Sequence, residues 1–343
     1  MKLEEISKWA EDGPDAPVAL TLRQRLKSVE GEDAVIFPPT YAGIGYNIDT
    51  LADGTRVALV DSVGSQANRM EPIFGHAPYD ELVPQIAISV GNGRRISIFE
   101  VGHRVADALV RSSRGISERV TEAFAALARG DHEPMARLAP TSLVFGVWDS
   151  RGEGMKVPRL VNSTIRAFDV SELKRSATYI PPLMPEEYSE AAGFKKEDME
   201  KAEGDPKSPM AKAGFVHVPS VGDPGGIIAH GGIFRTTTIN LVALRRIEGD
   251  NGEYLRRYIL GLALVAATWP QDGFLRQGCQ LVAAEEASWQ EVRRDGSHEN
   301  IGLSHEDALT FAREAAEKFG VGDDLEAEFD AGLAREVLKK ARG

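Results

Sequence analysis

Six cationic side chains fall between residues 142 and 176: Arg151, Lys156, Arg159, Arg166, Lys174 and Arg175. Four carboxylates share that interval, in a chain of 343 residues with a formal net charge of −12. A local reversal of sign suits an anionic ligand. It equally suits solvated strand ends, and composition does not name the ligand. A second group lies at residues 61–71, D-S-V-G-S-Q-A-N-R-M-E, with Ser62, Ser65, Asn68 and Arg69. Here a strand-like run, RVALVD, feeds a serine turn and then a helix ending at Pro72. Amides at a helix N-terminus attract anions, and serine there is just as often an ordinary cap. A third group is the glycine-rich stretch 222–232, followed by Phe234, Arg235 and Thr236. Glycines this dense mark a flexible loop or a close approach of the backbone. The stretch lacks the Gly-Lys-Ser/Thr ending of a P-loop and lacks G-x-G-x-x-G.

Other chemistries find little support. The seven histidines show no H-E-x-x-H motif and no His/Cys pair at ligand spacing. The single cysteine, Cys279, sits in an apolar run and reads as a core thiol. No disulfide framework is possible, which fits a reducing cytoplasm. No G-x-S-x-G elbow exists, and no cofactor or metal is expected. An acidic chain is not a nonspecific polycation, so nucleic acid would have to meet a local basic surface, since screening limits distant charges to about 8 Å. The N-terminus has no apolar core of a signal peptide. The longest apolar run, 260–269, is too short to span a bilayer, so no membrane partner is expected.

The elements that must position these groups read as α+β. Residues 18–29 carry an apolar stripe at Val18, Leu22, Leu26 and Val29. Strands are expected at 34–37, 56–61, 86–90, 143–148, 163–170, 214–221 and 233–247, with a turn at 149–152. Helices are expected at 100–111, 120–127, 253–268, 304–319 and 325–341. Residues 183–214, charged and poor in large apolar groups, read as a surface insertion, helical near 195–202 and mobile around 204–209. Residues 233–292 read β-α-β, half of a ferredoxin-like or RRM-like unit. Trp148 and Phe168 lie inside apolar runs and read as core, the alternative being rings that stack on bases.

Taken together, residues 61–71, L-V-F-G-V-W-D-S-R-G at 143–152, V-P-R-L-V-N-S-T-I-R-A-F-D-V at 157–170, the glycine stretch with Phe234-Arg235-Thr236, and L-R-Q-G-C-Q-L at 275–281 resemble a known family. It is the CRISPR-associated RAMP proteins, the Cas-seven group, that form the repeated backbone of type I-U (I-G) Cascade complexes in antiviral defence. The resemblance implies a modified RRM-like (ferredoxin-like) palm with inserted helical, finger and thumb segments. It implies an N-terminal extension (1–55), a core (56–295) with inserts near 100–140 and 183–213, and C-terminal helices (296–343). It implies a cytoplasmic, non-catalytic oligomer. Its partners would be CRISPR RNA (crRNA), target DNA through the guide, neighbouring copies of itself and other Cascade subunits. The RNA-binding residues would be Ser65, Asn68, Arg69, Arg151, Lys156, Arg159, Arg166, Lys174, Arg175, Arg235 and Thr236. Related backbone subunits cut RNA with a loop aspartate, so the alternative is a metal-dependent RNase using Asp49 or Asp149.

Overall fold

The run A-L-T-L-R-Q-R-L-K-S at 19–28 places leucine and polar side chains in alternation, the pattern of a strand with one face covered. A computed structural model describes residues 1–150 and 154–340, and there this run is β1 (Ala19–Ser28). Leu20 and Leu22 are buried while Arg23 is exposed. The helix-like stripe noted at 18–29 is therefore overruled by a period of two. β2 (Arg56–Asp61) leads into α1 (Val63–Met70), whose N-cap Ser62 accepts from the Ser65 N–H at 3.2 Å. Then come β3 (Val161–Phe168), β4 (Val170–Tyr179), β5 (Val218–Ala229) and β6 (Ile233–Asn240). They are followed by α2 (Gly252–Thr268), β7 (Cys279–Ala283), β8 (Trp289–Val292) and α3 (His305–Phe319).

β1 lies between β6 and the pair β7 and β8, which share its outer edge, and β3 continues the sheet beyond β6. Every one of these pairings is antiparallel. With α1 between β1 and β3, and α2 between β6 and β7, this is the β-α-β-β-α-β order of a ferredoxin-like, RRM-like palm. β2 adds a strand outside β3, and Ile48–Thr50 forms the edge beyond it. Residues 1–55 therefore do not form an extension: they supply the palm's central strand. α2 runs beneath the sheet with Leu255, Ile259, Leu262, Leu264 and Val265 fully buried, as its nearly unbroken apolar sequence requires. α3 follows, its Ser304 and Asp307 forming the capping box legible in the sequence. No helix among the described residues is long and apolar enough to cross a membrane.

Four other expectations are corrected. Residues 143–148 are not one strand: Thr141–Phe145 is a helix buried on all sides, which erases its periodic signal, and Gly146 at φ +77° ends it. Only Val147–Trp148 is extended, and Trp148, read as core, is 62% exposed. The strand expected at 233–247 stops at Asn240, whose side chain accepts from the Ala243 N–H at 2.9 Å and caps the helix Leu241–Arg245. Residues 100–111 hold the end of the 3-10 turn Ile98–Glu100, the 3-10 turn Arg104–Ala106 and the helix Ala108–Arg111, because Asp107 caps at Leu109 and divides the run. The last helix begins late: Leu325–Phe329 is a strand and only Ala331–Lys340 is helical. Asp330, accepting from the Gly332 and Leu333 amides at 2.6 and 3.0 Å, separates them. That strand pairs with Ile86–Ser89 and Ser113–Arg114, tying the C-terminus to the helical insert.

The glycine-rich stretch is not a loop either. It is part of β5, paired with β4 in a ribbon that leaves the palm. Beyond the ribbon the helices Pro185–Ala192, Lys196–Ala202 and Pro209–Ala213 close on a small core of Met199, Ala202 and Val216. The glycines serve chain packing. Gly226, at φ +99°, donates its N–H to the Tyr46 hydroxyl at 2.9 Å, and a Cβ there would meet Val35 Cγ1 at 2.3 Å. A Cβ on Gly231 would meet the Phe168 carbonyl at 2.9 Å. Gly226→Ala should therefore cost about 2–4 kcal/mol, combining left-handed strain and overpacking. Gly222→Ala, with open space around it, should cost only about 1 kcal/mol. Urea denaturation of both variants checks this, and equal losses would contradict it.

Candidate nucleic-acid interface

Proline fixes the backbone ahead of Arg159, and Gly146 leaves room for its stem, since a Cβ there would lie 2.8 Å from Arg159 Cγ. The side chain is thereby turned onto the first turn of α1. A Cβ placed on Gly64 would be 4.0 Å from Arg159 Nη2 and 4.0 Å from Ser62 Oγ. Two segments nearly a hundred residues apart thus meet. Among the described residues no carboxylate lies within ion-pairing distance of Arg159. Burial, and then the neighbouring Arg104 guanidinium, hold Arg159 below the ordinary arginine value. Arg104 is itself neutralised by buried Glu71 at 2.7 Å. Burial pushes the Glu71 carboxyl up, against the opposing pull of Arg104 and Thr141. A guanidinium facing the positive end of a helix, with no counterion among the described residues, has the charge and donors that suit an oxyanion.

Beside it the hairpin Val147–Trp148 and Lys156–Val157 holds the Lys156 ammonium 6.0 Å from the Trp148 ring. Both side chains are exposed. Asn68 is exposed on α1, next to a groove lined by Glu71, His76, Phe99 and Glu100. Ser65 is half-buried on the same first turn. Arg151 lies outside the described residues.

Arg69 is placed differently. Its Nε donates to Asp61 at 3.0 Å and its Nη2 to the Leu275 carbonyl at 2.8 Å. Asp61 is 1% exposed, also accepts from Gln66 Nε2 at 2.7 Å and faces Arg276 at 3.5 Å. Gln66 continues the network by accepting from Ser163. Arg69 thus belongs to a buried polar cluster that joins β2, α1 and the strand Phe274–Arg276, and its partner is Asp61 rather than Glu71.

Strand alternation separates the remaining candidates. Arg166 and Thr236 point to the open face of the sheet, where Arg166 donates to Thr164 at 2.7 Å. Arg235, opposite Ile165, points to the covered face. Burial holds its guanidinium below the ordinary value, and its Nε has no partner. Lys174 and Arg175 stand exposed on the ribbon, Lys174 paired with Glu172 at 2.8 Å. Asp149 is 2% exposed and paired with Arg111, while Asp49 is exposed on the edge strand Ile48–Thr50. Among the described residues no group of three or more His, Cys, Asp or Glu is placed to hold a metal ion.

Sequence reasoning missed Arg23 and Phe234, which share the open face with Arg166: the Arg23 guanidinium lies 3.7 Å over the Phe234 ring. The alternation of residues 19–28 carried the signal for Arg23.

Residues 20–172 match the family model described as CRISPR-associated protein GSU0053 (Cas_GSU0053). The match runs from β1 through Arg159 and Arg166 into β4. No curated protein matches the chain. Among solved structures, a chain of a "CRISPR RNA-guided surveillance complex, pre-nicking" aligns at 10% identity. The alignment covers 94% of this chain and 99% of that one, with a TM-score of 0.37, a likeness too slight to carry any argument. Over residues 20–172, which hold the Arg159 site, the chain is similar to the CRISPR-associated GSU0053 family.

Proposed function

We propose that this protein is a non-catalytic crRNA-binding backbone subunit of a type I-U/I-G Cascade complex. Several copies would hold the sugar-phosphate backbone of one guide and leave its bases free to pair with target DNA. The observation that carries this reading is Arg159 turned onto the α1 N-terminus with no carboxylate in ion-pairing reach among the described residues. Holding a backbone needs guanidinium, ammonium and amide donors at phosphates, and it needs no base-reading code. Arg159 supplies a planar fork suited to phosphate oxygens. The first turn of α1 supplies the Val63 and Gly64 amides, that of Ser65 being donated to the Ser62 cap, and Lys156 adds an exposed cation at the rim. Sequence readout then rests on base pairing, as in other guide-based systems.

The test is to express the chain with its partner subunits and a CRISPR transcript, and to resolve the purified particle on a denaturing gel. An RNA of uniform length that co-purifies is the expected result. Particles free of RNA would overturn the reading. Adding Mg²⁺ or Mn²⁺ and complementary RNA tests the non-catalytic part: cleavage lost on Asp49→Ala would assign the chain an RNase activity instead.

A further inference from the structure

The open face of the palm sheet is unlike the rest of this acidic protein. Its side chains on β1 are Thr21, Arg23, Arg25 and Lys27, and those on β6 are Phe234, Thr236 and Thr238. Those on β3 are Asn162, Thr164, Arg166 and Phe168. No carboxylate stands among them. Asp49 lies at the far edge beside Val57, and Glu32 reaches in only to pair with Arg25 at 3.0 Å. The register sets Phe234 between Arg25 and Arg166, directly opposite each. Arg23 lies over the Phe234 ring, and Phe168 meets the same ring edge-on, with centroids 5.8 Å apart and planes at 70°. Phe168 and Phe234 are half-buried, and Arg23 and Arg166 are exposed.

Four cations around two half-exposed phenyl rings, with threonines between, are not what solubility asks of a sheet face. Charge would serve that purpose without aromatics, and a chain with a net charge of −12 has no shortage of carboxylates to place there. The combination fits a single strand of nucleic acid. Every base has a π-face that stacks on an aromatic ring or a guanidinium plane, and cations track the backbone. The geometry points to a second RNA contact on this face. An unpaired base stacks against Phe168 and the Arg23–Phe234 pair, and the adjoining phosphates meet Arg166 and Lys27. This rests on the reading that the chain binds RNA, and it adds a base-contacting surface distinct from the backbone site at Arg159.

The experiment uses the full-length chain and a fluorescein-labelled oligouridine, followed by anisotropy over a salt series. Phe168→Leu should weaken binding about fivefold or more with an unchanged salt slope, because the lost contact is stacking. Arg166→Gln should weaken binding and flatten the slope by roughly 0.7, the value for one phosphate on a single strand. With 5-iodouridine in the RNA, photocrosslinks to the wild-type protein should map to residues 161–168 or 233–240. That measurement decides the matter even where Phe168→Leu fails to fold. Wild-type-like binding by both variants, with crosslinks elsewhere, would overturn the inference. If Arg159→Gln still binds weakly in that case, the backbone site stands without it. A wild-type chain that binds no oligouridine at all would remove both. If Phe168→Leu instead changes the sedimentation coefficient and leaves RNA binding intact, the face docks protein, and the inference falls.

Discussion

Arg159→Gln should lower RNA affinity roughly tenfold or more at low salt, the worth of a charge-assisted hydrogen bond. It should also flatten the salt dependence by about 0.7 in slope, one single-strand phosphate. Stability is the more telling readout. Arg159 is partly desolvated, lies near a second guanidinium and faces the positive end of a helix. A side chain so placed contributes nothing favourable by its charge to the unliganded fold. Its neutral variant should unfold at an unchanged or higher urea midpoint. Loss of binding without loss of stability is the signature of a residue kept for its ligand. Arg159→Lys should retain the salt slope and lose part of the affinity, because an ammonium keeps the charge without the fork. Loss of stability in Arg159→Gln, with RNA affinity and slope unchanged, would assign the residue to the fold.

Asp61→Ala should have the largest effect on stability. Its carboxylate is fully covered and answers Gln66 and Arg69 from α1 and Arg276 from the strand Phe274–Arg276. Removing it leaves two guanidiniums facing each other without a counterion, a change that costs about 3–5 kcal/mol. Urea denaturation followed by circular dichroism reads this directly. Arg69→Gln provides the contrast. It should destabilise while the folded fraction keeps its RNA affinity, because Arg69 is bound to Asp61 and to the carbonyls of Phe274 and Leu275. Lost RNA affinity at unchanged stability would instead place Arg69 at the ligand.

Much of the palm was legible because its elements carry their own signals. The run RVALVD, the serine cap of α1, the apolar length of α2 and the capping box of α3 are local features, set by neighbours within a turn or two. The β-α-β at residues 233–292 followed from them. The elements misread were those whose signal is ambiguous over a short window. Residues 141–145, buried on every side, have no amphipathic period to read. The glycine stretch looked like a loop because glycine disfavours strands. The close approach of Val35 and Ile36, remote in sequence, is what makes glycine necessary at position 226 of β5, and Phe168 does the same at Gly231 just beyond it.

By itself the sequence determined the inventory: an acidic α+β chain with a few local basic groups, a helix start rich in serine, and the type of each candidate contact. The tertiary structure decided which of those groups share a surface. Strand parity put Arg166 and Thr236 on the open face and Arg235 on the covered one, since adjacent residues in a strand point to opposite sides. Chain crossings put Arg159 against α1 with no counterion among the described residues and gave Arg69 a buried one. Whether a cation is spent on the fold or left for a ligand depends on the carboxylates near it in space, and a linear order of residues does not contain those distances.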